Sequence, residues 1–312
     1  MHLDFITVFS SLFNLFVLIA AGYLAVRRNI LEQEWSRAFS AFLMHIALPC
    51  MIFTSLVTRP YHASFLKDGI LIVIIGLFMF AGLQLLYTVL SRLLRIPEGR
   101  RGIWAFSCTY CNNGFMGFPI ILTLLGEDAL ALAVIMGLSY NLTVYTMGAL
   151  SISSDSGDSG QRPDLRKVML SSINFALLMS LIFYFGQIPV PSLVLKPLEY
   201  LGNTTTPLSM IIAGMALGKS RGKELFTDRD AWSATIVRLL VTPFLMLFLL
   251  RVLSPANPLI IPVVVITAAM PAPGTTMMLT EMYHGNMALA SRIVFLTNLF
   301  CLLTIPLVCL FL

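Results

Sequence analysis

Long apolar runs, separated by short charged or Pro/Gly-rich breaks, cover nearly all of the 312-residue chain. Each is about the length a helix needs to cross bilayer hydrocarbon, roughly 20 residues. Ten spans are expected, at about 4–26, 36–57, 67–91, 102–125, 128–151, 167–186, 193–218, 231–252, 258–282 and 287–311. The hydrophilic segment of note is "SSDSGDSGQRPDLRK" (153–167), whose Ser, Gly and Asp content reads as a flexible linker. It divides the chain into two five-span halves, 1–152 and 167–312, joined by a linker at 153–166. The expected fold class is an all-α membrane protein.

Composition agrees with that pattern. The chain is 58% hydrophobic and 11% charged, against about 25% charged for a soluble domain. A water-soluble reading is excluded. The first run has no basic stretch before it and is long for a signal-peptide core, so it reads as a retained span. The net charge of +5 does not point to nucleic acid, because Lys and Arg follow the membrane. With the N-terminus outside, fourteen face inward and four outward, leaving Arg238 and Arg292 to spans eight and ten. The positive-inside rule then puts both termini outside and the central linker in the cytoplasm. The five cysteines all lie in apolar segments and are odd in number, which argues against a disulfide framework. Cys108 and Cys111 form a C-x-x-C that reads as small hydrophobes on a helix.

The two halves resemble each other. "SLFNLFVL" (11–18) matches "SSINFALL" (171–178), placing Asn14 over Asn174. "ALPCMIF" (47–53) matches "TTPLSMI" around Pro49 and Pro207, and "GEDALALA" (126–133) matches "GNMALASR" (285–292). The three offsets are 160, 158 and 159. With an odd number of spans per half, the second copy enters the membrane inverted, an arrangement typical of secondary transporters.

Spans four and nine break the helical pattern at corresponding places. "CNNGFMGFPI" (111–120) carries adjacent amides, two glycines and a proline; "MPAPGTTMM" (270–278) carries Pro271, Pro273 and Gly274. Such residues oppose a helix interior. Non-helical backbone at that depth is tolerated where it lines a cavity or packs within protein. Paired interruptions in two inverted halves are a sequence pointer to a transport site. Asn112, Asn113, Gly114, Gly117, Pro119, Pro271, Ala272, Pro273, Gly274 and Thr275 are therefore the candidate substrate-binding residues. The half-helix N-termini after Gly117 and Gly274 offer N–H groups and partial positive charge to a carboxylate. The half-helix C-termini favour a cation, so dipoles alone leave the sign open.

The charge census bears on that sign. All fifteen acidic residues fall in loops or near span ends, with Glu199 and Glu281 closest to mid-depth. A cation pump or proton antiporter normally keeps a carboxylate in the membrane. Arg238 lies about eight residues into span eight. Either it meets an inward-facing anion, or it snorkels to the cytoplasmic interface. His45, a turn before Pro49, is a candidate for proton coupling or a bundle hydrogen bond. Asn14 and Asn174 are candidates for helix-to-helix hydrogen bonding or ligand contact. The sequence holds no nucleotide-binding loop, metal-ligand cluster or hydrolase motif. It reads as a non-enzyme without a cofactor, with H+ or Na+ as possible coupling ions and transport that is secondary or passive.

The stretches "NNGFMGFPI" with "GEDALA", and "AAMPAPGTTMMLTEMYHGNMALAS" near the C-terminus, resemble the auxin efflux carrier family. That family includes bacterial malonate and malate permeases and the plant PIN carriers. The resemblance covers essentially the whole chain. It implies a fold similar to the bile acid/sodium symporters. The scaffold would comprise about 4–57 and 167–218, and the transport or crossover domain about 67–151 and 231–312. It also implies a homodimer in the lipid bilayer. The short central loop looks like that of a bacterial inner-membrane member. Where the family often has Asn-Pro early in span six, this chain has Asn174-Phe175. The expected substrate is a small organic anion, a mono- or dicarboxylate. A cation exchanger of the same fold and a non-transporting ligand sensor are the alternatives.

Overall fold

The computed structural model describes residues 5–32, 35–62, 64–156, 171–219 and 223–312. Among these residues the chain is helical, with no strand. In chain order the helices are α1 (Phe5–Arg27), α2 (Trp35–Val57), α3 (Ser64–Leu93), α4 (Arg101–Thr109), α5 (Phe118–Leu125) and α6 (Glu127–Asp155). Then come α7 (Ser172–Phe185), α8 (Ser192–Asn203), α9 (Thr205–Lys219), α10 (Arg229–Leu253), α11 (Ile260–Ala269), α12 (Thr275–Met282) and α13 (Met287–Cys309). Five of them, α2, α3, α6, α10 and α13, are long and apolar enough to cross a membrane. The expected start of span six at 167 and most of the expected linker lie outside the described residues. Residues 153–156, expected in the linker, are helical. The Asp155 carboxylate explains this: it accepts N–H bonds from Gly102 (2.8 Å) and Ile103 (2.9 Å), tying the end of α6 to the start of α4.

Wide turns, one residue looser than an α-helical turn, occur at Leu43–Ala47, Asn113–Gly117 and Val237–Val241. Each is followed at once by a helix with proline in its first turn: Pro49, Pro119 and Pro243. A proline ring displaces the carbonyl four residues back, here His45, Phe115 and Leu239, and the turn widens to accommodate it. A fourth wide turn, Val144–Gly148, has no proline. There Gly148 faces the rings of Tyr110 and Phe106, which leave no room for a side chain.

Two interfaces position the interrupted segments. The first is aromatic and joins α3, α4 and α10. Phe80 stacks on Tyr110 (5.9 Å, 17°) and Tyr87 meets Trp104 edge-on (6.3 Å). The polar tips are satisfied: Tyr87 Oη pairs with Thr242 Oγ1 (2.7 Å), and Trp104 Nε1–H donates to Ser233 Oγ (2.9 Å). All four rings are fully buried. The second interface is the packing of α1 on α9, where Gly22, Gly214 and Gly218 lie directly against backbone of the opposite helix. Small residues of this kind let two membrane helices approach closely, the main source of attraction where lipid removes the hydrophobic driving force.

At one end of the bundle Asp228 caps α10, accepting N–H bonds from Asp230 and Ala231. Its carboxylate also takes Arg100 Nη2–H (2.5 Å) and Arg292 Nη1–H (2.8 Å), joining the α3–α4 loop, α10 and α13. Burial pushes the Asp228 pKa up, but the Arg292 and Arg100 hydrogen bonds outweigh it and hold it below the usual carboxylate range. A depressed folded-state pKa stabilises above the unfolded value, and that contribution disappears as pH falls through the folded value. Asp228→Asn is expected to lower Tm by about 5 °C near neutral pH. The gap from wild type should close as the pH drops below about 4. Thermal unfolding at several pH values checks this; a gap independent of pH contradicts the assignment.

Candidate functional site

Helix α4 ends at Thr109, residues 110–112 are non-helical, and the chain resumes helix through the wide turn into α5. Helix α11 likewise ends at Ala269, and α12 starts at Thr275. The two interruptions touch: the Asn112 N–H donates to Pro271 O at 2.8 Å. Beside this contact lies a cavity of about 470 Å³. Its polar side is formed by Asn112, Asn113, Gly114, Pro273, Gly274 and Thr275 together with Tyr140, Asn141, Tyr145 and Ser171. Leu48, Ile52, Phe118, Val134, Ile173 and Leu177 make the apolar wall. No charged side chain lines it among the described residues. A larger groove of 550 Å³, between α1, α9 and α13, is apolar apart from Tyr23 and Arg27.

Six of the ten candidate residues therefore line the cavity. Gly117, Pro119, Pro271 and Ala272 do not; all four are buried behind it. Their parts are local. Pro119 sits in the first turn of α5. Pro271 supplies the carbonyl that receives Asn112, and the Ala272 N–H donates to Thr297 Oγ1 (3.2 Å). Gly117 makes room for Asn113: a Cβ there would lie 3.0 Å from Asn113 Oδ1. Asn113 is only 4% exposed, and its Oδ1 has no hydrogen-bond partner. The half-helix start expected after Gly117 falls earlier, at Asn113.

The helix ends at the site are sorted by polarity. Among the described residues, no acceptor pairs with the backbone N–H groups of Gly114, Phe115, Gly274 or Thr275, and all four residues line the cavity. The opposite ends, the carbonyl termini of α4 and α11, converge on Arg238. Its Nε–H donates to Met270 O (2.8 Å), Nη1 to Thr109 O (2.9 Å) and Cys108 O (3.1 Å), and Nη2 to Thr267 O (3.3 Å). Arg238 is fully buried. Both sequence readings of Arg238 are corrected by this. It does not snorkel, and it does not face the cavity, because backbone carbonyls take up four of its donors.

The remaining candidates lie at or beyond the cavity's edge. Asn174 does not line it, but its Oδ1 accepts from Asn141 Nδ2–H (2.6 Å), linking α7 to α6. His45 is exposed, and its Nδ1 lies 3.2 Å from Ser172 Oγ. Asn14 is exposed on α1. The sequence reading missed Tyr140, Asn141, Tyr145 and Ser171. A polar Tyr-Asn pair within the apolar span 128–151 was the available signal for the first two.

These features define an all-helical, multi-pass membrane protein with a neutral, amide-lined internal cavity. A family model described as Membrane transport protein matches residues 7–309, and the chain belongs to that family, the auxin efflux carrier family. An uncharacterized transporter of Methanocaldococcus jannaschii is 27% identical over 298 residues, covering 93% of this chain and 94% of its own. The uncharacterized transporter YfdV of Escherichia coli K12 is 19% identical over 247 residues, 76% of each chain. A protein of Rhizobium meliloti named "Putative malonate transporter" is 21% identical over 296 residues, 93% of this chain and 91% of its own.

Proposed function

We propose that the protein is a secondary transporter of a small organic anion, a mono- or dicarboxylate. The anion binds where two interrupted spans cross, and one domain moves against the other to alternate access. The observation that carries this reading is the sorting of helix ends. The unpaired N–H groups of Gly114, Phe115, Gly274 and Thr275 belong to residues that line the cavity, while Arg238 already occupies the carbonyl ends. Helix N-termini carry partial positive charge, so the open ends favour an anion. The amides of Asn112, Asn113 and Asn141 add donors without adding a fixed charge.

Reciprocal packing supports an inverted repeat of ten spans. Helix α1, which contains Asn14, packs on α9, and its repeat counterpart α7 packs on residues 48–57 of α2. On this reading the scaffold is about 4–57 and 167–218, and the moving domain is about 67–151 and 231–312. The protein would sit as a homodimer in a bacterial inner membrane, with both termini outside and the central loop in the cytoplasm. The name of the Rhizobium relative makes malonate the first substrate to try.

The test is uptake and counterflow of radiolabelled malonate, malate and indole-acetate in proteoliposomes. Saturable flux of at least one is expected, reduced about tenfold or more in Asn113→Ala, since an unmade hydrogen bond to a charged ligand group is worth roughly 1.5–3 kcal/mol. Saturable binding without flux would replace a carrier with a sensor. Flux unchanged in Asn113→Ala would remove the site.

A further inference from the structure

Arg238 has a consequence beyond fixing the sign of the substrate. Two helix C-termini, those of α4 and α11, point at one place deep in the bundle. Each carries about half a negative charge, so together they present about one. Half-helix C-terminal ends and unwound carbonyls of this kind form seats for a small cation in membrane carriers. Here the oxygens of Cys108, Thr109, Thr267 and Met270 are all within 3.3 Å of guanidinium nitrogens. A metal ion at this place would meet a fixed positive charge already lying against the same four oxygens.

We propose that Arg238 is a resident counter-cation, built into the cation seat formed by the carbonyl ends of α4 and α11, and that this seat takes up neither Na+ nor H+ during the cycle.

Three features support it. The charge of the side chain matches the charge of the two helix ends, one against about one. A guanidinium is a permanent cation, so the two helix ends are balanced without a proton being taken up. The side chain is also held from behind: Arg238 lies in the wide turn that Pro243 imposes on α10. One residue past that turn, Thr242 Oγ1–H contacts the Val237 and Cys108 carbonyls while pairing with Tyr87. A mobile ion would have to displace a covalently tethered one from a pocket with no exposure to solvent. The anion at the opposite helix ends is then bound without a co-bound cation at this seat. Any proton coupling falls to another group, of which His45, beside Ser172, is exposed.

Occupancy of the seat is a property of the folded protein, and only its meaning for coupling rests on the carrier reading. Thermal unfolding of the purified full chain in NaCl against choline chloride is the first measurement. Wild type is expected to show the same Tm in both. Arg238→Met takes a donor from each of four carbonyls and leaves those of Thr109 and Met270 without a partner; it should lower Tm by about 10 °C. Millimolar guanidinium chloride, too dilute to denature, should recover part of that loss in the variant and none in wild type. Arg238→Lys keeps a charge but not the fork, and should fall between the two; it carries the test if the methionine variant does not fold. A Tm of wild type that rises with Na+, or a variant with wild-type Tm and no guanidinium response, overturns the proposal. Uptake assays separate the two claims. Anion flux that requires Na+ at this seat sinks the counter-cation while leaving the carrier. No flux of any anion, with Na+-indifferent wild type and guanidinium-rescued variant, does the reverse.

Discussion

Changing Asn112 to aspartate will abolish anion uptake while leaving the fold as stable as before, or slightly more so. Asn112 is half-buried on the cavity wall and holds the N-cap position of the half-helix that begins at Asn113, yet its side chain makes no capping bond. Aspartate is as good an N-cap as asparagine and adds a charge that the helix N-terminus favours, a gain of roughly 0.3–1 kcal/mol. The new carboxylate would reach the open N–H groups of Gly114 and Phe115 itself. A bound anion would then meet a like charge in a cavity with no cation to offset it, a penalty of several kcal/mol, or a loss in affinity of at least about 100-fold. Tm and uptake should thus move apart, which a merely structural role for Asn112 does not produce. Uptake retained within a few-fold contradicts the anion site. Uptake of a cation gained by the variant would point to the exchanger alternative.

A side chain at Gly214 is expected to have the largest effect on stability. A Cβ built there overlaps the Ile19 carbonyl and lies 2.8 Å from Tyr23 N, so α1 and α9 must separate to admit Gly214→Val. Neither neighbour is the end of a flexible side chain; both are helical backbone. Overpacking of this kind costs about 1–3 kcal/mol where side chains can shift, and more where backbone must move. Loss of close van der Waals contact along an interface with no hydrophobic drive adds to it. The variant should lose 10 °C or more in Tm, taking roughly 2–4 °C per kcal/mol, or fail to accumulate. The control is Gly82→Ala on α3, exposed and with nothing within 4 Å of the added Cβ. It should be neutral or slightly stabilising, as alanine is the better helix former. A Gly214→Val protein as stable as the control would show that the two helices do not pack this closely.

Much of the site was legible because its signals are local. Asn112-Asn113-Gly114 and Pro271-Ala272-Pro273-Gly274 are poor helix interior whatever surrounds them, and α4 and α11 end just before them, at Thr109 and Ala269. The same local argument, applied residue by residue, over-reached. It took Gly117, Pro119, Pro271 and Ala272 for ligands, whereas they shape the backbone or make room for Asn113. It placed Arg238 by depth alone, between snorkelling and anion binding. The actual partners of Arg238 stand 29 to 130 positions away in the chain, and they are carbonyls, which carry no mark in the amino-acid alphabet. Asn174 makes a helix-to-helix hydrogen bond, one of the two roles its sequence position suggested, but its partner Asn141 was not legible, because partners are chosen by which helix faces which.

Residue order alone therefore settles that this chain is apolar enough to live in a membrane, that it is helical, and that the helical pattern weakens near Asn112 and Pro271. Those outcomes depend on side-chain chemistry within a turn or two, and on hydropathy summed over about twenty residues. The packed bundle decides which helix ends meet, which of them are neutralised and which stay open. That follows from long-range contacts and from backbone groups that every residue shares, and neither is written in the identity of any one side chain.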